Sequence, residues 1–208
     1  MIDGVIFDVD GTLWDSTPIV EKAWNQALKD NGYTDVIITA DRLKGLFGLP
    51  MDDIIADILP NESREKRREL GPKCFSYEHA YLEREAGIQY PGLKETLEEL
   101  SKKYPLFIVS NCQGGYVELF YRKTGYEIYF KDHLCPGDTG LLKADNILKI
   151  KNDYNLKNPV YVGDTHMDEE ACRKAGVPFV FARYGFGHGI NPDYTIKELK
   201  DLLYIFDT

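Results

Sequence analysis

The chain has 208 residues, of which 43% are apolar, and it carries a formal charge of −9. That supplies one large domain, or one domain with an insert, around a proper core, and it excludes compositional disorder. The acidic balance excludes nucleic acid and anionic membrane surfaces as general partners, because the basic residues Arg64, Lys66, Arg67 and Arg68 are interleaved with Glu62, Glu65 and Glu69 as a solvated helix face.

The chain opens on an apolar, β-prone run, Val5-Ile6-Phe7, that ends in Asp8-Val9-Asp10-Gly11-Thr12. Alternate residues of a strand share a side, so Asp8 and Asp10 can address one site at the strand's end. Gly11 permits the sharp turn that follows. Thr17-Pro18 is a helix start, with threonine as N-cap and proline in the first turn. Ile19, Val20, Ala23, Trp24, Ala27 and Leu28 form its apolar stripe, which ends near Asn31-Gly32. Short helices are expected from Ala40 to Leu46 and from Met51 to Leu59, stopping at Pro60. Residues 61–86 read as a long charged helix with a break at Gly71-Pro72. Residues 16–87 are therefore expected as an all-helical insert, with the main domain formed by 1–15 and 88–208.

After Tyr90-Pro91-Gly92, strands and helices alternate, which predicts βαβ units and a parallel sheet. The expected strands are Leu106–Val109, Val160–Val162 and Phe179–Ala182. The helices between them start at Leu93, after Gly114-Gly115, at Ala144 and at Asp168, and a last helix is expected from about Ile196. The N-terminus shows no basic region or cleavage site, and no apolar run approaches membrane-spanning length. Cys74, Cys112, Cys135 and Cys172 lie far apart without a CxxC pair. They are expected as reduced thiols of a cytoplasmic protein, not as a zinc site.

Three apolar runs end in polar residues: Asp8 and Asp10, Ser110 and Asn111, Asp164 and Asp168. In a parallel sheet those ends lie on one edge and converge. Crowded carboxylates raise one another's pKa unless a cation neutralises them. Hard oxygen ligands without a cysteine or histidine pair suit Mg²⁺, which favours sites shared with substrate phosphate. Ser110 and Lys143 offer a hydroxyl donor and a compact positive charge to a phosphoryl group. One carboxylate can attack as a nucleophile while the other serves as general acid and base.

This pattern resembles the haloacid dehalogenase superfamily. Its DxDGT motif corresponds to Asp8-Val9-Asp10-Gly11-Thr12, its strand-terminal serine to Ser110, its lysine to Lys143, and its GDxxxD motif to Gly163-Asp164-Thr165-His166-Met167-Asp168. The helical insert between the first two motifs is similar to a C1-type cap. The resemblance implies a Rossmann-like three-layer α/β core with a parallel sheet in the order 5-4-1-2-3. It implies Asp8 as nucleophile and Mg²⁺ ligand, Asp10 as acid/base and metal ligand through its carbonyl, and Asp164 as metal ligand. Ser110, Asn111 and Lys143 would hold the phosphate, and Asp168 would orient the lysine or a metal-bound water. Where the family often has proline after the lysine, this chain has Ala144, and Lys131 is a less favoured substitute for Lys143.

The implied activity is Mg²⁺-dependent hydrolysis of a small phosphorylated metabolite through an aspartyl-phosphate, by a monomer or homodimer. The alternatives are a phosphosugar mutase of the β-phosphoglucomutase kind and a catalytically silent binding module. A Ser/His hydrolase is disfavoured because no GxSxG elbow occurs. In the insert, Trp24, Arg42 and Lys44 are the candidates for substrate contact. A place in the insert's core competes for Trp24, and an ordinary exposed role for Arg42 and Lys44. His166 and His188 are read as solvated loop residues, His79 and His133 have no visible partners, and the Gly185–Gly189 run lacks dinucleotide-binding spacing.

Overall fold

The computed structural model describes residues 1–187 and 191–206. It divides into two compact units, Met1–Asp15 with Gln89–Thr208, and Ser16–Ile88. In the first, strands β1 (Gly4–Phe7), β4 (Leu106–Val109), β5 (Phe130–Leu134), β6 (Pro159–Gly163), β7 (Phe179–Ala182) and β8 (Tyr194–Ile196) form one sheet in the order β5-β4-β1-β6-β7-β8. Every pairing is parallel. Taken alone, β7-β6-β1-β4-β5 is the expected five-strand order, and β8 extends it by one strand beyond β7. β1 is central, and its residues are buried on both faces, as the unbroken apolar run requires.

This unit holds a strand that the sequence does not announce, and one expectation changes. β5, whose sequence is FKDHL, does not read as an apolar run because it is an edge strand and only half-buried. The expected last helix from Ile196 is instead the end of β8 followed by a 3₁₀ turn, Leu199–Leu203. Ile196, Leu199 and Leu202 are buried at a three-residue spacing, which mimics a helical stripe. Helices α5 (Leu93–Lys103), α6 (Tyr116–Thr124), α7 (Pro136–Thr139), α8 (Lys143–Asp153) and α9 (His166–Ala175) connect the strands.

The second unit holds α1 (Thr17–Asp30), α2 (Ala40–Leu46), α3 (Met51–Ile58) and α4 (Arg64–Arg84). Ser16, not Thr17, stands at the N-cap of α1; its backbone is helical rather than extended and its carbonyl accepts the Ile19 N–H at 2.9 Å, so it makes no side-chain cap bond. α4 runs unbroken through Gly71-Pro72. The carbonyl that Pro72 deprives of a donor belongs to exposed Arg68, where water can serve it. The core of this unit gathers Trp24, Leu28, Ile38, Leu43, Ile55, Leu70 and Cys74, whose thiol burial pushes up to about 12. The chain passes between the units through two short paired strands, β2 (Trp14–Asp15) and β3 (Ile88–Gln89).

Candidate active site

Because β1, β4 and β6 run parallel and in register, their C-terminal residues arrive at one edge of the sheet. The Asp8 N–H continues the ladder by donating to the Val162 carbonyl at 2.9 Å. The chain then reverses, with the Gly11 N–H donating to the Trp14 carbonyl. Gly11 has φ +78°, and a Cβ there would lie 2.1 Å from Asp164 Oδ2, so only glycine fits. Asp10 is half-buried beside this turn, and its Oδ1 accepts the Tyr116 hydroxyl at 2.9 Å.

Lys143, the first residue of α8, is buried and reaches back into the site. Its ammonium donates to Asp168 Oδ1 at 2.6 Å and lies 3.3 Å from Asp8 Oδ1. The second contact is an ion pair that falls short of hydrogen-bond geometry, so the buried Asp8 Oδ1 keeps an unfilled acceptor position. Asp168 is held rigidly by the start of α9. Its Oδ2 accepts the Thr165 N–H and hydroxyl, and Thr165 Oγ1 in turn accepts the Asp168 N–H, a reciprocal capping box. Tyr161 lies beneath the lysine with its hydroxyl donating to the Val109 carbonyl at 2.7 Å and 3.3 Å from Asp168 Oδ1. Asp164 is fully buried, accepting the Phe186 N–H at 2.7 Å and the Thr12 hydroxyl at 3.4 Å. The Gly185-Phe186-Gly187 segment therefore closes over the GDxxxD turn, and a Cβ on Gly187 would fall 1.9 Å from the Asp164 carbonyl. Ser110, at the end of β4, is buried at the same edge, where its hydroxyl opposes the effect of burial and helps to lower the Asp8 carboxyl.

The charges do not balance. Asp8, Asp164 and Asp168 can bring one carboxylate oxygen each to within 4.8 Å of one another, and the single Lys143 ammonium leaves two of the three negative charges uncompensated. Burial and the neighbouring Asp168 and Asp8 accordingly drive the Asp164 pKa well above its ordinary value. Asp8 is also raised, by burial first, with Lys143 opposing. Burial pushes Asp168 upward too, but Lys143 and the Thr165 bonds overcome it and hold the carboxyl below its ordinary range. Burial would lower Lys143, but the two carboxylates keep it raised and charged. An orphaned acceptor, surplus buried charge and an all-oxygen donor set are what a hard divalent cation such as Mg²⁺ would satisfy.

Asp8, Asp10, Ser110, Lys143, Asp164 and Asp168 are thus brought to one edge, and half-buried Asn111 follows Ser110 in the adjoining loop. In the helical unit, Trp24 is 1% exposed, and its indole N–H donates to Glu78 Oε2 at 2.9 Å. Exposed Arg42 donates to the Asp57 side chain and carbonyl, and Lys44 is half-buried on the same helix. His166 is exposed on α9, and His188 lies outside the described residues. Tyr116, Tyr161 and the Phe186 N–H were not identifiable from the sequence. Only the glycines flanking Phe186 hinted at a close backbone approach.

A doubly wound sheet with this acid cluster at its edge defines a class, and the family model for haloacid dehalogenase-like hydrolases matches residues 5–182. The chain belongs to that family. Among curated relatives, the phosphoglycolate phosphatase of Vibrio parahaemolyticus is 29% identical over 97% of this chain and 94% of its own. The phosphoglycolate phosphatase of Yersinia pestis is 28% identical over 97% and 92%. A haloacid dehalogenase-like hydrolase from Streptococcus pneumoniae superposes with TM-score 0.86 at 24% identity, covering 97% of each chain. Among the described residues, no helix is long and apolar enough to cross a membrane.

Proposed function

We propose that the protein is a Mg²⁺-dependent phosphatase acting on a small phosphomonoester, with Asp8 as the nucleophile. The reading rests above all on Lys143 held between Asp8 and Asp168 beside buried Ser110 and Asp164. Asp8, Asp164 and the Asp10 carbonyl would hold the cation. When bound, it would neutralise the carboxylates and polarise a phosphoryl oxygen.

Asp8 attacks the phosphorus to form an aspartyl-phosphate, and the ester oxygen leaves with a proton from Asp10. Asp10 then takes a proton from the water that hydrolyses the acyl phosphate, returning both residues to their starting states. The Lys143 ammonium, the Ser110 hydroxyl and Asn111 bind the phosphoryl oxygens. Asp168 positions Lys143, and the Tyr116 hydroxyl holds the Asp10 carboxylate in one orientation. The curated relatives named above point to a short phosphorylated carboxylate such as phosphoglycolate as the first substrate to test. Lys44 and Arg42 are the insert's cationic candidates for its carboxylate.

The test is phosphate release from p-nitrophenyl phosphate and from phosphoglycolate, by wild type and Asp8→Asn, with Mg²⁺ and with EDTA. Release that requires both Asp8 and Mg²⁺ is expected, with Asp8→Asn slower by about 10³-fold or more. Equal rates with Asp8→Asn would refute the assignment. Isomerisation of a sugar phosphate faster than phosphate release would identify a mutase.

A further inference from the structure

We propose that Glu118, His133 and Asp138 form a second metal site, separate from the acid cluster, for a divalent transition metal of the zinc class. Glu118 lies on α6, His133 on β5 and Asp138 on α7, and each offers one ligand atom within 4.8 Å of the others. His133 Nε2 stands 3.5 Å from Glu118 Oε1. That is wider than a direct hydrogen bond, which closes to about 2.7–3.2 Å. Two donors sharing a tetrahedral zinc, with bonds of about 2.0–2.2 Å, stand about 3.3–3.6 Å apart. A second observation points the same way: Glu118 Oε2 is buried and has no hydrogen-bond partner.

The donor set determines the class of metal. One imidazole nitrogen with two carboxylates suits zinc and its neighbours and leaves a coordination position for water, whereas Mg²⁺ prefers oxygen alone. Asp138 is already oriented, because its Oδ2 accepts the Cys135 thiol at 3.0 Å. The site also adjoins the loop that follows Ser110. The Gly137 N–H donates to the Cys112 carbonyl at 3.4 Å, and a Cβ on Gly137 would lie 1.9 Å from the Gly114 nitrogen. A metal joining α6, β5 and α7 therefore braces the segment 111–115 from behind.

The test is calorimetric titration of Zn²⁺ into the full chain in excess Mg²⁺, for wild type, Asp164→Asn, His133→Ala and Glu118→Gln, with circular dichroism to verify folding. Wild type and Asp164→Asn are expected to share one Zn²⁺ site that weakens at least tenfold in His133→Ala and Glu118→Gln. Co²⁺ should give visible absorption bands in wild type that His133→Ala loses. Should His133→Ala misfold, Glu118→Gln carries the test, since it preserves side-chain volume. Wild-type affinity in a folded His133→Ala or in Glu118→Gln, no Zn²⁺ binding to wild type, or loss of the site in Asp164→Asn would each overturn the proposal.

Discussion

Tyr116→Phe removes one hydroxyl from the site. The ring is 1% exposed and packs edge-on against Trp14 at 6.1 Å, so phenylalanine keeps the packing and removes only the hydroxyl that donates to Asp10 Oδ1 at 2.9 Å. A hydrogen bond to a charged group is worth about 1.5–3 kcal/mol. If the full amount is felt in the transition state, kcat falls about 10- to 100-fold at about 1.4 kcal/mol per decade. Asp10 is half-buried, so in the ground state water replaces much of the lost bond. Stability should then fall by only about 1 kcal/mol, which for a chain of this size lowers Tm by about 2–4 °C. Steady-state hydrolysis of p-nitrophenyl phosphate at saturating Mg²⁺, together with a thermal melt, separates the two effects. A kcat within twofold of wild type, or a loss confined to KM, would refute the view that this bond aims the acid/base.

Three other outcomes follow from the geometry. The Asp164 pKa is raised in the fold, so the native state holds a proton that the unfolded chain releases near pH 3.8, and stability from this group is lost as pH rises above that value. In EDTA, the Tm of Asp164→Asn minus that of wild type should therefore grow more positive from pH 5 to pH 8, and an unchanged difference would contradict the shift. Gly11→Ala should cost about 1 kcal/mol or more in strain and abolish most activity, because its methyl would displace Asp164; wild-type turnover would show that the turn is adaptable. Trp24→Phe withdraws the indole donor from buried Glu78 and should lower stability by about 1.5–3 kcal/mol with kcat and KM unchanged. A KM increase without a fall in Tm would restore Trp24 as a substrate contact.

The acid-bearing edge was legible in the sequence because buried parallel strands need unbroken apolar runs: Val5–Phe7 and Leu106–Val109 stop abruptly at Asp8 and Ser110, and Val160–Val162 stops at Gly163-Asp164. β5 was not legible, since an edge strand with Lys131 and Asp132 carries no such run. The region after Ile196 misled because buried residues spaced by three fit a 3₁₀ turn as well as an α-helix. Tyr116 and Tyr161 stayed hidden for a different reason. A tyrosine in an apolar stretch looks like core until its hydroxyl is given a partner, here Asp10 for one and the Val109 carbonyl for the other. The crowding of glycines about Asp164 could be suspected from Gly11 and Gly185, but their target is fixed only by the fold.

The paired strands Trp14–Asp15 and Ile88–Gln89 bring the exit and return of the insert to within one strand spacing, about 5 Å. To the six-stranded sheet, the whole helical unit is therefore a single loop between β1 and β4. The entropy of closing a loop grows only with the logarithm of its length. Lengthening, shortening or exchanging that unit should leave the strand register and the Asp8 turn intact, so this junction is the natural splice point for chimaeras with related inserts.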